Sequence, residues 1–136
     1  MTGLVACAPV LATAGARGTP RRRNGRTRVR GQDDGKRLGA AELGAELGER
    51  ATLVQFSSAF CAPCRATRRV LGEVAGMVPG VTHVEIDAEA HLDLVRRLDI
   101  LRTPTVLVLD ADGRIVRRAA GRPRRADVIA ALGEAV

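Results

Sequence analysis

The stretch "ATLVQFSSAFCAPCRATRRVLGEVAGMV", residues 51–78, changes its periodicity half-way along. Its first eight residues are a short apolar run of the kind that forms a buried strand. From Cys61 the pattern turns helical, with Val70, Val74, Met77 and Val78 expected on one stripe and Arg65, Arg68, Arg69 and Glu73 largely off it. Pro79-Gly80 stops the helix. A strand running straight into a helix opens a strand–helix–strand unit, which requires parallel pairing, and Cys61 and Cys64 sit at the junction.

On either side the elements alternate. "LGAAELGAELGER" (38–50) sets Leu38, Leu43 and Leu47 near helical spacing. "VTHVEID" (81–87) reads as a second strand with Thr82, Val84 and Ile86 on one face and His83 and Glu85 on the other. "AEAHLDLVRRLDI" (88–100) reads as a helix with Leu94, Val95 and Leu98 inward. "TPTVLVLD" (103–110) is a third strand, and the turn Asp110–Gly113 leads into "RIVRRAA" (114–120) as a hairpin. Gly121 breaks the chain before the closing helix "RRADVIAALGEAV" (124–136). The fold class is α/β: a central mixed sheet with an antiparallel edge and helices on both faces.

At 136 residues one domain is expected, and 46% apolar content excludes a chain disordered throughout. With two Phe and no Trp or Tyr, the core must be aliphatic. The net charge of +7 is localised: residues 1–37 hold nine Lys/Arg against two acids, and residues 38–136 hold thirteen of each. The expected organisation is a basic, disordered leader at 1–37 and a neutral domain at 38–136. No aromatic residue is interleaved with the leader's arginines, so a nucleic-acid-binding arm is not the favoured reading. Residues 2–16 carry no charge but fall short of the roughly 20 apolar residues of a span, so they offer at most a weak membrane anchor. If they inserted, the arginines behind them would keep the domain on the cytoplasmic side. A cytoplasmic, reducing location is expected.

The cysteine pair admits four readings. Zinc needs about four ligands and a Cys-x-x-Cys supplies two. Cys7 lies in the leader, and His83 and His91 show no paired spacing, so no metal is expected. A purely structural disulfide does not suit a reducing compartment. Two merely buried cysteines do not account for this spacing at a helix start. A redox dithiol does: at Cys61 unpaired N–H groups and the helix dipole favour an anion, which lowers a thiol from its free pKa of about 8.5. Cys64 lies one turn on, within reach of a disulfide, and Pro63 occupies the first turn, where it needs no N–H.

"LVQFSSAFCAPC" (53–64), "VEIDAE" (84–89), "ILRTPTVLVLDADGRIV" (100–116) and Gly121 together resemble the thioredoxin family, over roughly residues 38–134. The resemblance implies a thioredoxin-like fold with Cys61 as nucleophile and Cys64 as resolving thiol. It implies a cis-Pro104 facing the dithiol, the backbone of Thr103 open to substrate, and Phe60, Ala62 and Pro63 around the sulfurs. The departures are local. Phe60 and Ser57 stand where the family carries Trp, Ala62 where it has Gly, and Gln55 where it has a buried acid. His83 stands where that acid's lysine partner would be, which makes Gln55 and His83 the candidates for proton transfer. The implied activity is protein-disulfide reduction in redox homeostasis and electron transport. A disulfide oxidant or isomerase, or a non-catalytic binding module, is the alternative. Implied partners are disulfide-containing proteins and a thioredoxin-reductase-like electron donor, with no cofactor on the chain, no nucleic acid, and a monomeric state.

Overall fold

All seven residues of β2, Ala51–Ser57, are buried, so this strand runs through the middle of the sheet with both faces covered. The structure is a computed structural model in which Thr27–Arg28, Asp33 and residues 36–136 are described. The elements are β1 (Thr27–Arg28), α1 (Ala40–Leu43), β2, α2 (Ala62–Met77), β3 (Val81–Asp87), a 3-10 turn (Ala88–Ala90), α3 (Leu92–Arg97), β4 (Thr105–Asp110), β5 (Ile115–Ala120) and α4 (Arg125–Ala135). Among the described residues the sheet runs β1-β5-β4-β2-β3. Among the described strands only β2 and β3 pair parallel, across α2, and the other pairs are antiparallel. This is the α/β architecture expected of the sequence.

The period of two along β2 divides the core. Val54 and Phe56 join Val84, Ile86, Leu107 and Leu109 on the face covered by Leu38, Leu43, Leu94 and Leu98. Ala51 and Leu53 join Val106 and Val108 on the other face, under Leu71 and Val74 of α2 and Val128, Ala131 and Leu132 of α4. Gln55 and Ser57 belong to the second face and so lie beneath α2.

Three expectations are corrected. The buried stripe of α2 is Cys64, Thr67, Leu71 and Val74, whereas Met77 is 56% exposed and Val70 half-buried. Cys64 turns toward the sheet and fixes the rotation of the helix, so steps of three and four from it select Thr67 and Leu71. The helix over 38–50 shrinks to Ala40–Leu43, ended by Gly44 in the left-handed conformation at φ +66°. Leu38 and Leu43 still reach the core, Leu38 from extended chain whose N–H bonds to the Gly113 carbonyl at 2.9 Å. The helix over 88–100 divides at His91 (ψ 53°) into the 3-10 turn and α3, with Leu94 and Leu98 inward as expected and Val95 half-buried.

The segment read as leader contributes to the sheet. Thr27 and Arg28 pair with Ala119 and Arg118, and the Asp33 carboxylate accepts two bonds from the Arg118 guanidinium at 2.9 and 2.7 Å. Residues 2–16 and Cys7 lie outside the described residues. No helix among the described residues is long and apolar enough to cross a membrane.

Register sets the position of the site. Phe56, Thr105 and Ala120 lie side by side on β2, β4 and β5. β2 leaves the sheet just beyond this row, β4 enters just before it and β5 ends at it. The connections at 58–61, 100–104 and 121–124 therefore cluster at one edge, beside Asp87 at the end of β3.

Candidate active site

Cys61 is the N-cap of α2, with extended backbone (φ −98°, ψ 98°), and its sulfur accepts the Cys64 N–H at 3.2 Å. Its sulfur is therefore set among the unpaired amides that an anion would occupy. Cys61 and Cys64 are joined in a disulfide with Cα atoms 5.2 Å apart. Cys61 is half-buried and Cys64 buried, so of the two residues only Cys61 is open to solvent. Ala62 and Pro63 are exposed in the first turn.

Phe60 has φ +58° and is fully exposed at 103%, standing clear of the surface beside Cys61 instead of packing as a wall. In the loop before β4 the Thr103–Pro104 bond is cis. The Thr103 hydroxyl shares a 2.8 Å hydrogen bond with the Ser58 hydroxyl, tying this loop to the chain that leads into the dithiol. The Pro104 carbonyl accepts the Gly121 N–H at 2.8 Å, which brings in the third loop. Phe60, Cys61, Ala62, Pro63, Cys64, Thr103 and Pro104 are thus gathered at one edge.

Beneath them Gln55 is fully buried. Its amide nitrogen donates to the Cys64 carbonyl at 2.8 Å and to the Ser57 hydroxyl at 2.9 Å. A carbonyl only accepts, so this side of the amide must be the NH2, and Oε1 faces His83 Nε2 at 3.1 Å. An amide oxygen only accepts, so the proton of His83 is on Nε2 and its free nitrogen is Nδ1. Burial pushes the His83 imidazole below its ordinary 6.5, the nearby Glu85 carboxylate opposing this and Arg68 reinforcing it. The ring is neutral at pH 7.

Glu85 and His83 are two residues apart on β3 and share the face of Gln55. Arg68 of α2 pairs with Glu85, and its hydrogen bonds hold the Glu85 carboxyl below its ordinary value, with a smaller contribution from the Ser57 hydroxyl. The layer under Cys64 is therefore a connected set: Arg68, Glu85, Ser57, Gln55, His83 and the Cys64 carbonyl. One group stands outside it: the Thr67 hydroxyl, fully buried one turn after Cys64, has no hydrogen-bond partner. The pairing of Gln55 with His83 was legible from sequence. The Ser58–Thr103 bond and the role of Glu85 were not, although the period of two places Glu85 beside Gln55.

The family model "Thioredoxin" matches residues 40–134 of the chain. The chain belongs to the thioredoxin family. It is 30% identical over 87 residues to the thioredoxin of Mycolicibacterium smegmatis, covering 62% of this chain and 77% of that one. It is 29% identical over 85 residues to the thioredoxin of Mycobacterium tuberculosis, covering 62% and 72%. Among solved structures, a mutant thioredoxin of Halobacterium salinarum superposes with a TM-score of 0.59 at 18% identity, covering 64% of this chain and 75% of that one. Mitochondrial thioredoxin 3 of Saccharomyces cerevisiae does so with a TM-score of 0.56 at 17% identity, covering 63% and 79%. These two likenesses establish the fold. With the Cys61–Cys64 disulfide at the helix start, family membership makes the chain a thiol–disulfide oxidoreductase.

Proposed function

We propose that the chain is a protein-disulfide reductase in which Cys61 attacks and Cys64 resolves. The observation that carries this is the asymmetry of the pair: Cys61, at the helix N-cap, is half-buried, and Cys64 is fully buried behind it. In the reduced protein the Cys61 thiolate attacks one sulfur of a substrate disulfide. That bond breaks, a mixed disulfide forms, and the departing substrate sulfur takes up a proton. Cys64 then loses its proton and attacks the Cys61 sulfur. The Cys61–Cys64 bond forms, the second substrate thiolate leaves, and two electrons have passed from the dithiol to the substrate.

Gln55 and His83 act here as a neutral cradle. The His83 nitrogen that faces the site already carries a proton, and the Gln55 amide is engaged on both sides. The Cys64 proton therefore passes to solvent or to the departing thiolate, and resolution gains no buried carboxylate. Thr103 and Pro104 present the backbone on which an extended substrate segment lies, with Phe60, Ala62 and Pro63 across from it. The dithiol is regenerated by a dithiol-donating reductase, which makes the chain a link in an electron-transport sequence in the cytoplasm. Reduction of insulin by dithiothreitol tests the reading. The wild type accelerates it, Cys61→Ser abolishes the acceleration, and a wild type no faster than dithiothreitol alone overturns the proposal.

A further inference from the structure

The charge of the folded part is balanced overall but not in place. The connections at the dithiol edge, residues 58–61, 100–104 and 121–124, hold Arg102, Arg122 and Arg124 and no Asp or Glu; Arg65, Arg68 and Arg69 follow in the first two turns of α2, and Arg125 opens α4 with Asp127 in the same turn. Arg68 pairs with Glu85 and Arg125 with Glu73, both carboxylates lying outside these segments. Arg65, Arg69, Arg102, Arg122 and Arg124 are exposed, and no carboxylate among the described residues pairs with them. Asp87 and Glu89 lie at the same edge but on the far side of β2, at the end of β3.

Arg102 is the best placed of the five. It immediately precedes Thr103 and cis-Pro104, and its carbonyl is fixed by the Thr105 hydroxyl at 2.6 Å. Its guanidinium folds back over Gly121, where a Cβ would meet Nη2 at 3.2 Å. Gly121, at φ +91°, thus leaves the room in which the guanidinium sits. Leu101 beside it is 90% exposed, facing solvent as Phe60 does. A fork of five N–H donors without a carboxylate matches a carboxylate supplied from outside.

Resting on the reductase reading, we infer that the preferred substrates are acidic: a disulfide whose cysteine is flanked by Asp or Glu, with Arg102 as the residue that reads the charge. Complementary charge of this kind acts chiefly on encounter and on choice of partner, and it weakens with salt.

The test uses the full-length chain and three versions of a short disulfide-linked peptide, its cysteines flanked by glutamates, glutamines or lysines. At low salt kcat/KM falls in the order Glu, Gln, Lys, with about tenfold between the extremes, and the spread narrows as salt is raised to about 0.2 M. Arg102→Glu reverses or collapses that order, which a merely structural arginine would not do. Equal turnover of the three peptides overturns the charge inference and leaves the reductase standing; turnover of none overturns the reductase itself. Equal peptide turnover together with tight binding of an RNA oligonucleotide, lost in Arg102→Glu, assigns the arginines to nucleic acid and also overturns the inference.

Discussion

Replacing Gln55 by leucine removes three hydrogen bonds from one buried point while nearly keeping the volume. The consequences differ for each partner. The Ser57 hydroxyl keeps its contact with Glu85, and so loses little. The Cys64 carbonyl loses the 2.8 Å bond that ties the first turn of α2 to the sheet, and the His83 N–H loses its acceptor. A buried polar group left alone costs about 1–3 kcal/mol; taking the low end for a half-buried ring, and crediting the leucine for its apolar contacts, leaves about 2 kcal/mol. For a domain of this size that is roughly 7–10 °C in Tm. Thermal unfolding of the oxidised protein at pH 7 reads it directly. The sharper measurement is a double-mutant cycle, in which His83→Ala costs about 1 kcal/mol with Gln55 present and close to nothing in the Gln55→Leu background. Gln55→Leu within about 0.5 kcal/mol of wild type, or an equal cost of His83→Ala in both backgrounds, would refute the buried network.

Thr67→Val replaces the partnerless hydroxyl by a methyl of the same shape and is expected to stabilise the fold by about 1 kcal/mol in a denaturant melt. Stability should decline with acid in two stages. His83 is depressed in the folded state, so its contribution is complete above the ordinary 6.5 and is lost as pH falls toward the folded value; Glu85 follows below its ordinary 4.5. His83→Gln should erase the first stage of a Tm-versus-pH profile and leave the second. Asp33→Ala leaves the Arg118 guanidinium, only 9% exposed, without its carboxylate and should cost about 2–3 kcal/mol. A chain started at Leu38 should melt correspondingly lower than one that retains Thr27 to Lys36, measured side by side.

The elements that could be read from sequence are those whose own residues decide them. β2 declares itself by an unbroken apolar run, and Cys61 by the change of period behind it. The apolar pattern misplaces the rotation of α2 because Cys64 and Thr67, both buried, lie outside the apolar stripe; tertiary contact overrides hydrophobic pattern there. Leucine spacing alone extends the helix over 38–50 too far because it does not report that Gly44 takes a left-handed conformation, and the same leucines reach the core without a helix. The part that Thr27, Arg28 and Asp33 take in the sheet depends on Arg118, 85 residues away from Asp33 in sequence, which local composition cannot reveal. At the site, the dithiol, Pro104 and the Gln55–His83 pair carry family motifs or a shared strand register. The Ser58–Thr103 bond joins residues 45 apart and exists only once the loops converge.

Trapping separates the roles of the two sulfurs. Cys64→Ser, reduced and mixed with disulfide-bonded insulin, should accumulate a covalent mixed disulfide that mass spectrometry maps to Cys61. Cys61→Ser should form little or none under the same conditions. Equal adducts on both variants, or adduct only on Cys64, would contradict the assignment of Cys61 as the attacking thiol.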